Sequence, residues 1–266
     1  MNFNADTYAN EAGTVLVNWP SHDHAQLILK RPQRHNALGL DELAGLAEAA
    51  TFLQKKQPKV LSIIADSPNF SVGGDIKEFS DAISKDNIET WLRTAIGHFN
   101  NAITQLRNLD AAIVVGVQGS SAGGALGLIW CADHVILSQD ASISMAYAKL
   151  GGSPDGGTSW LLPRMVNPLR AFEMFTLTSS LKAQQALDWG LANQITTTNE
   201  LNQIVDEVAR KWLSLPNQSL KNIKHLLRSA QGQDLETHLS QELEGFVNAS
   251  KQAEFKLQVM KFSKPN

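Results

Sequence analysis

The chain has 266 residues, of which 43% are hydrophobic, and its formal net charge is −3. A chain of this length and composition can bury one large hydrophobic core. Its slightly acidic charge excludes a nucleic-acid binder that depends on a basic surface. The single cysteine, Cys131, excludes a disulfide framework and a metal site made of cysteines alone.

We expect no targeting segment and no membrane span. The first 13 residues are polar and acidic, without the basic start and apolar segment of a secretory signal. The ending Ser263–Asn266 differs from the peroxisomal S-K-L. The uncharged stretch between Asp110 and Asp133 is long enough to cross a bilayer, but clustered glycines interrupt it, so we interpret it as a buried strand, a turn and a buried helix. The expectation is a cytoplasmic protein that binds neither membranes nor nucleic acids.

Short apolar runs alternate with helical patterns over residues 1–199. This alternation predicts an α/β fold with parallel strands, and runs that are apolar at successive positions indicate a sheet covered on both faces. Strands are predicted at Val15–Trp19, Ala25–Lys30, Val60–Ala65, Ala112–Val117, His134–Leu137 and Asn193–Thr196. Helices are predicted at Gly39–Lys56, Asp86–Leu109, Gly124–Cys131, Leu169–Thr176 and Ala183–Trp189.

The pattern changes at residue 200, after which only helices are predicted. They span Glu200–Leu215, Ser219–Ala230, Leu235–Ala249 and Gln252–Phe262. We therefore divide the chain into a core at residues 1–199, which would hold the functional site, and a helical region at residues 200–266. The apolar positions of that region fit two arrangements equally, packing within the chain or contact between subunits. They are Phe246, Phe255, Val259 and Phe262.

Two glycine-containing loops follow predicted strands and could approach a ligand closely. In Phe70–Phe79, the adjacent Gly73 and Gly74 have no Cβ to keep a ligand away from the backbone. In Gly119–Gly127, the chain enters a helix at Gly124, where backbone N–H groups lack partners within the helix and suit a developing negative charge. Taken singly, each loop also fits an ordinary turn.

Two further loops carry polar candidates. Arg31–Leu38 joins a strand to a helix and on its own fits a structural loop. Gly151–Thr158 holds Asp155 between Pro154 and Gly156. A carboxylate held in such a loop can act as a general acid or base, although many such aspartates only bond their own turn.

Together the four loops resemble the crotonase, or enoyl-CoA hydratase/isomerase, superfamily, and they occur in that family's order and spacing. The segment Ala183–Leu191, A-Q-Q-A-L-D-W-G-L, is similar to a further segment of the family. The resemblance implies a crotonase-like α/β fold, a right-handed spiral of ββα turns followed by C-terminal helices that build a trimer. It also implies self-association as a trimer or a hexamer.

The resemblance implies an acyl-CoA thioester as the substrate, with coenzyme A entering as part of that substrate, no separate cofactor and no metal. The amides of Gly74 and Gly124 would form the oxyanion hole, and losing one such donor typically costs about 3 kcal/mol of transition-state stabilisation. The residues expected to contact coenzyme A or the acyl group are His35, Ala37, Leu38, Ser71, Gly73, Asp75, Ile76, Ser120, Tyr147 and Pro154.

The choice of reaction depends on carboxylates. By spacing, the two glutamates of the family's hydratases fall on Gly127 and Tyr147, and neither side chain transfers a proton near neutral pH. Asp155 remains, and Ala146–Arg164 resembles the isomerase branch of the bacterial phenylacetate pathway, apart from Gly152-Ser153 before the proline. We expect an isomerase that moves a 3-enoyl double bond to the 2 position or rearranges a ring epoxide, with Asp155 as the acid/base.

Other interpretations stay open. A hydratase of the same family is one, a non-catalytic coenzyme A-binding member is another, and a dehalogenase ranks lower. Gly119–Gly123 also fits the G-x-S-x-G pattern of a serine hydrolase, with Ser121, Asp155 and either His225 or His238 as the triad. A dinucleotide-binding loop fails on glycine spacing. His22 and His24, on a loop expected to be exposed, lack a third metal ligand.

Overall fold

The computed structural model describes residues 7–178 and 180–263. Its strands are β1 (Tyr8–Ala9), β2 (Val15–Ser21), β3 (His24–Leu29), β4 (Val60–Ala65), β5 (Ala112–Val117), β6 (Ser120–Ala122), β7 (His134–Ser138), β8 (Ser142–Ser144), β9 (Leu181–Lys182) and β10 (Gln194–Thr196). Its α-helices are α1 (Leu40–Lys56), α2 (Ile76–Ser84), α3 (Ile88–Arg107), α4 (Leu126–Trp130), α5 (Tyr147–Leu150), α6 (Thr158–Met165), α7 (Pro168–Thr176), α8 (Ala183–Asp188), α9 (Leu201–Leu213), α10 (Asn217–Ser229), α11 (Leu235–Ser250) and α12 (Ala253–Phe262).

A seven-stranded sheet, in the order β1-β2-β3-β4-β5-β7-β10, forms the centre of the molecule. The first three strands pair antiparallel, and the pairs from β3 to β10 are parallel. In β5, Ile113 and Val115 face the main core with α1 and α3, whereas Val114 faces α9. Both faces of the sheet are therefore buried, which explains why these strands are apolar at successive positions. The predicted α/β class with parallel pairing is confirmed.

A second, three-stranded sheet in the order β6-β8-β9 holds the loops that follow the main sheet. Its strands are two or three residues long, too short to show a periodic pattern, and the sequence did not predict them. An isolated bridge between Ser71 and Ser121 and another between Leu38 and Gly74 join three loops to one another.

The structure corrects several predicted elements. The helix expected at Gly124–Cys131 begins as a 3-10 turn at Gly123–Ala125 and continues as α4. Helices α2 and α6 were not predicted, and α6 contains Pro163. His24 is buried at the start of β3, within hydrogen-bond distance of the Ser62 hydroxyl, rather than on an exposed loop. Among the described residues, no helix has the length and apolar character needed to cross a membrane.

The helices after residue 200 differ in how they pack. Leu201, Val205 and Ala209 of α9 are buried against the sheet, whereas α10, α11 and α12 have no buried residues. Phe246 and Phe255 pack edge to face with ring centroids 5.7 Å apart, yet Phe246 stays 68% exposed and Phe262 90% exposed. The described part of this chain therefore leaves three of the four predicted apolar positions exposed and covers only Phe255 in part. The division at residue 200 stays a prediction.

Candidate active site

The loop after β4 brings Gly73 and Gly74 to the edge of the second sheet. Gly73 has a φ of +84°, and a Cβ there would lie 2.7 Å from the Ala122 carbonyl oxygen, so only glycine fits. Leu38 donates to the Gly73 carbonyl and accepts from the Asp75 N–H, at 2.8 and 3.1 Å. Since those two bonds use the residues on either side of Gly74, the Gly74 N–H points away from Leu38.

The second glycine loop lies beside the first. The Ala122 N–H donates to the Ser71 carbonyl at 3.0 Å, and the Ser71 N–H donates to the Ser120 carbonyl at 3.3 Å. A Cβ on Gly73 would be 3.8 Å from the Gly123 Cα. The structure thus brings together the two loops that hold the predicted oxyanion donors, Gly74 and Gly124, although they are fifty residues apart.

The Asp155 carboxylate lies against Gly124. A Cβ added to Gly124 would be only 2.6 Å from Asp155 Oδ1, closer than real Cβ contacts allow. The Asp155 carbonyl accepts from the Thr158 N–H at 3.1 Å and from the Thr158 hydroxyl at 2.8 Å, which ties this loop to the start of α6. A carboxylate and the predicted oxyanion donor therefore border the same point in space.

The electrostatics of Asp155 suit proton transfer. Partial burial raises the pKa of this carboxyl, and a 2.6 Å hydrogen bond from the Tyr147 hydroxyl opposes that rise. Burial and the neighbouring carboxylate raise the pKa of Tyr147, so Tyr147 stays protonated and donates. A carboxyl whose pKa is raised toward neutral pH exchanges protons more readily at that pH.

Gly127 is closed to any side chain. A Cβ at this position would lie 2.1 Å from the Gly156 carbonyl oxygen, a backbone atom that can make room only if its whole loop moves. The loop that carries Asp155 occupies the space that a side chain at position 127 would take. A glutamate side chain at position 127 would therefore clash with this loop.

Two aromatic residues that were not predicted as part of the site lie against the glycines of this region. The Phe99 ring, from α3, lies 3.3 Å from the Cβ position of Gly124 and 2.3 Å from that of Gly156. The Phe79 ring, from α2, lies 2.8 Å from the Cβ position of Gly74. Helix α2 was not predicted, and the pattern of α3 marked Phe99 only as one apolar position among several.

Asp75 is held by contacts within the fold. Its side chain, 1% exposed, caps α2 by accepting from the Lys77 N–H at 3.0 Å and pairs with Arg31 at 3.0 Å and with Arg34. Burial works against its ionisation, but the hydrogen bond and charge of Arg34, with help from Arg31, hold the pKa of Asp75 below its usual value. The carboxylate is used within the fold, and contact of this residue with coenzyme A stays a prediction.

The other predicted contacts fall into two groups. Ala37, Leu38 and Ser71 are buried, and the Ser71 hydroxyl donates to the Asn36 carbonyl at 2.6 Å, so these residues can offer only backbone groups. Asn36 lies in the predicted loop Arg31–Leu38, and its buried side chain donates to the Phe70 carbonyl at 3.0 Å and joins the loops. The predicted residues with partly or fully exposed side chains are His35, Ile76, Ser120, Tyr147 and Pro154.

The serine hydrolase alternative is wrong. Ser121 is 1% exposed, and within the described residues its hydroxyl has no hydrogen-bond partner. His225 and His238 lie on α10 and α11, and a nucleophilic serine needs a histidine within hydrogen-bond reach. In the described ranges, no group of three His, Cys, Asp or Glu side chains is arranged to hold a metal ion.

We expect Asp75→Asn to lower the free energy of unfolding by about 2 kcal/mol, because the buried carboxylate loses its charge-assisted hydrogen bonds to the partly exposed Arg31 and Arg34. Urea unfolding at pH 7 measures the change. The matched control is Asp66→Asn, which removes an exposed pair with Lys30 and should cost about 1 kcal/mol or less. Equal losses in the two variants would contradict a structural role for Asp75.

The stabilising effect of Asp75, measured with Asp75→Asn, should also depend on pH. The pKa of Asp75 is lower in the folded protein than in the unfolded chain, so its stabilising contribution is present above the unfolded value of about 3.9. That contribution is lost as the pH falls through the lower folded pKa. The stability gap between wild type and Asp75→Asn should therefore shrink below about pH 4.

Comparisons with known proteins agree with this geometry. The family model for enoyl-CoA hydratase/isomerase matches residues 23–264. The chain is 29% identical over 238 residues to the 1,2-epoxyphenylacetyl-CoA isomerase of Escherichia coli (strain K12), covering 89% of this chain and 90% of that protein. It is 28% identical over 236 residues to the trans-2-decenoyl-acyl-carrier-protein isomerase of Streptococcus mutans, covering 86% and 89%.

The fold has a close counterpart among solved structures. An enoyl-CoA hydratase/isomerase structure from Mycobacterium abscessus superposes with a TM-score of 0.89 at 26% identity, covering 93% of this chain and 95% of that one. The architecture is therefore of the crotonase type, as the four loops predicted. The chain belongs to the enoyl-CoA hydratase/isomerase family.

Proposed function

We propose that this protein is an acyl-CoA isomerase that shifts a double bond from the 3 to the 2 position, with Asp155 carrying the proton. The observation that carries the proposal is the Asp155 carboxylate, whose Oδ1 lies 2.6 Å from the Cβ position of Gly124. A proton carrier next to an oxyanion donor is the arrangement that enolate chemistry needs.

The proposed reaction uses one carboxylate twice. Ionised Asp155 takes a proton from C2 of the 3-enoyl thioester, and the electron pair moves onto the thioester oxygen. The N–H groups of Gly74 and Gly124 stabilise that enolate oxygen. Asp155 then returns the proton to C4, the double bond forms between C2 and C3, and the carboxylate is regenerated.

The geometry disfavours the hydratase alternative. Addition of water needs a group that activates water and a group that protonates carbon. Gly127 has no space for a side chain, and Tyr147 uses its hydroxyl to donate to Asp155. Relatives of similar identity are named as isomerases and as a probable enoyl-CoA hydratase, so the choice between the two reactions rests on this geometry. Rearrangement of a ring epoxide remains the second isomerase reaction.

The test is an absorbance assay for the conjugated thioester with purified protein. We expect absorbance to rise with a 3-enoyl-CoA and to stay constant with crotonyl-CoA, which a hydratase would consume. Consumption of crotonyl-CoA with no reaction of the 3-enoyl substrate would establish the hydratase instead. If neither reacts, a ring-epoxide acyl-CoA is the next substrate, and binding without turnover of any of them would indicate a non-catalytic member.

Self-association is part of the proposal. The apolar stripe of α11, formed by Leu235, Leu239, Leu243 and Phe246, is 52–71% exposed in the single chain. An exposed stripe of this kind favours contact with a second subunit. The proposed partner is another copy of this chain in a trimer or hexamer.

We expect Leu239→Glu combined with Leu243→Glu to convert the oligomer to a monomer, because two carboxylates would be buried in an apolar contact. Light scattering coupled to size-exclusion chromatography measures the mass. Glu244→Gln, on the same helix but outside the stripe, is the control and should leave the mass unchanged. A monomeric wild type would contradict the proposed assembly.

A further inference from the structure

Tyr147 reaches Asp155 because the chain reverses direction between them. Tyr147 begins the single-turn helix α5, and Gly151, with a φ of +69°, caps the C-terminal end of that helix. The Gly152 N–H then donates back to the Tyr147 carbonyl at 2.9 Å. The reversal places the Tyr147 hydroxyl 2.6 Å from Asp155 Oδ1, while its ring lies 6.1 Å from that of Phe175.

The hydrogen bond selects one oxygen of the carboxylate. Oδ1 accepts the hydrogen bond from the Tyr147 hydroxyl, and the same atom lies against Gly124. An oxygen that accepts this hydrogen bond is less available to take a proton from a substrate. The carboxylate is also less free to rotate. The other oxygen, Oδ2, is left for exchange with a substrate.

We propose that Tyr147 is a positioning residue that holds Oδ1 of Asp155 against Gly124 and so presents Oδ2 as the atom that takes up and returns the proton. This assignment rests on the isomerase function proposed above. It gives a role to the side chain at the position where the family's hydratases have their second glutamate. That position then serves Asp155 instead of activating water.

The groups around Asp155 allow the effect of Tyr147 on the pKa of this carboxyl to be measured apart from the effect of other charges. Tyr147 is the titratable side chain that acts on this carboxyl. The groups that α3 and the start of α4 present to the same loop are the Phe99 ring, Gly124 and Gly127, which carry no charge. From α6, the Thr158 hydroxyl bonds the Asp155 backbone and does not titrate near neutral pH. A change at Tyr147 should therefore act on Asp155 without a competing charge.

The test compares Tyr147→Phe with Tyr8→Phe. The first variant keeps the ring next to Phe175 and removes only the hydroxyl. The second changes the chain's other tyrosine, whose hydroxyl donates to Glu48 at 2.9 Å on the outside of α1. Infrared titration of the carboxyl stretch, assigned by its loss in Asp155→Asn, measures the midpoint for Asp155. The pH profile of kcat/KM with 3-enoyl-CoA is the second measurement.

We expect Tyr147→Phe to raise the Asp155 midpoint, and the acidic limb of kcat/KM, by about one pH unit, since a hydrogen bond to the charged form is lost. The plateau kcat should fall about tenfold with KM little changed. Tyr8→Phe should behave as wild type. An unshifted midpoint in Tyr147→Phe, or an equal shift in Tyr8→Phe, would overturn the assignment. A wild type that turns over no 3-enoyl-CoA would overturn the isomerase proposal alone, because the infrared titration still reports the Tyr147–Asp155 contact.

Discussion

Replacing Asp155 with asparagine should lower kcat for double-bond migration about a thousand-fold, the usual contribution of a positioned general acid/base. Asparagine has the same shape and can still accept the hydrogen bond that Tyr147 donates to Oδ1. The substrate affinity and the fold should therefore change little, and the loss should appear in kcat. The rise in conjugated-thioester absorbance measures the rate, and calorimetric titration with coenzyme A measures binding.

A matched control separates this effect from a general loss of charge. Asp188 is an exposed carboxylate on α8 that accepts from Gln184 at 2.8 Å, and Asp188→Asn should keep the wild-type rate. If Asp155→Asn also keeps that rate, another group carries the proton and the proposed mechanism fails. If its binding of coenzyme A is lost together with its rate, Asp155 acts on the structure of the site.

The second large effect is expected at Gly127. In Gly127→Ala, the added Cβ would lie 2.1 Å from the Gly156 carbonyl oxygen, so the loop with Asp155 must move away from Gly124. Overpacking of this kind typically costs about 2 kcal/mol of stability, and a displacement near 1 Å can lower kcat about a hundredfold. Urea unfolding and the isomerase assay measure the two losses.

Two further variants sharpen that experiment. Gly97→Ala, on α3, adds a methyl group where nothing lies within 4 Å, and it should stabilise the protein by about 0.5–1 kcal/mol with no loss of rate. Gly127→Glu restores the glutamate of the hydratases in sequence but should not hydrate crotonyl-CoA, because the Gly156 backbone occupies its place. Hydration by Gly127→Glu, or a wild-type rate in Gly127→Ala, would show that the loop yields easily.

The strands of the parallel sheet were predictable because burial on two faces requires apolar side chains at successive positions. β4 and β5 lie at the predicted Val60–Ala65 and Ala112–Val117. The strands of the second sheet were not predictable. Ser120–Ala122 and Ser142–Ser144 form because the main sheet places their loops side by side, and the three residues of each contain no pattern that marks a strand.

The contacts within the candidate site could not be predicted from the sequence. Gly74, Gly124 and Asp155 were assigned roles in oxyanion stabilisation and proton transfer from the resemblance of their loops to a known family, because each loop alone also fits an ordinary turn. The partners of Asp75 were not foreseen, because an ion pair with Arg31 and Arg34 depends on how two loops meet. The contact of Phe99 with Gly124 and Gly156 depends in the same way on where α3 packs.

The amino-acid sequence by itself determined the α/β class and the positions of the central strands, since these depend on local composition and spacing, and the resemblance of four loops to a known family supplied the candidate residues. Only the tertiary structure decided which of those residues meet. It removed Ser121 from consideration as a nucleophile by burying its hydroxyl without a partner among the described residues, and it set the Tyr147 hydroxyl against Asp155. It also closed Gly127 with the backbone of Gly156. Contacts between distant segments follow from the packing of whole elements, which no local pattern encodes.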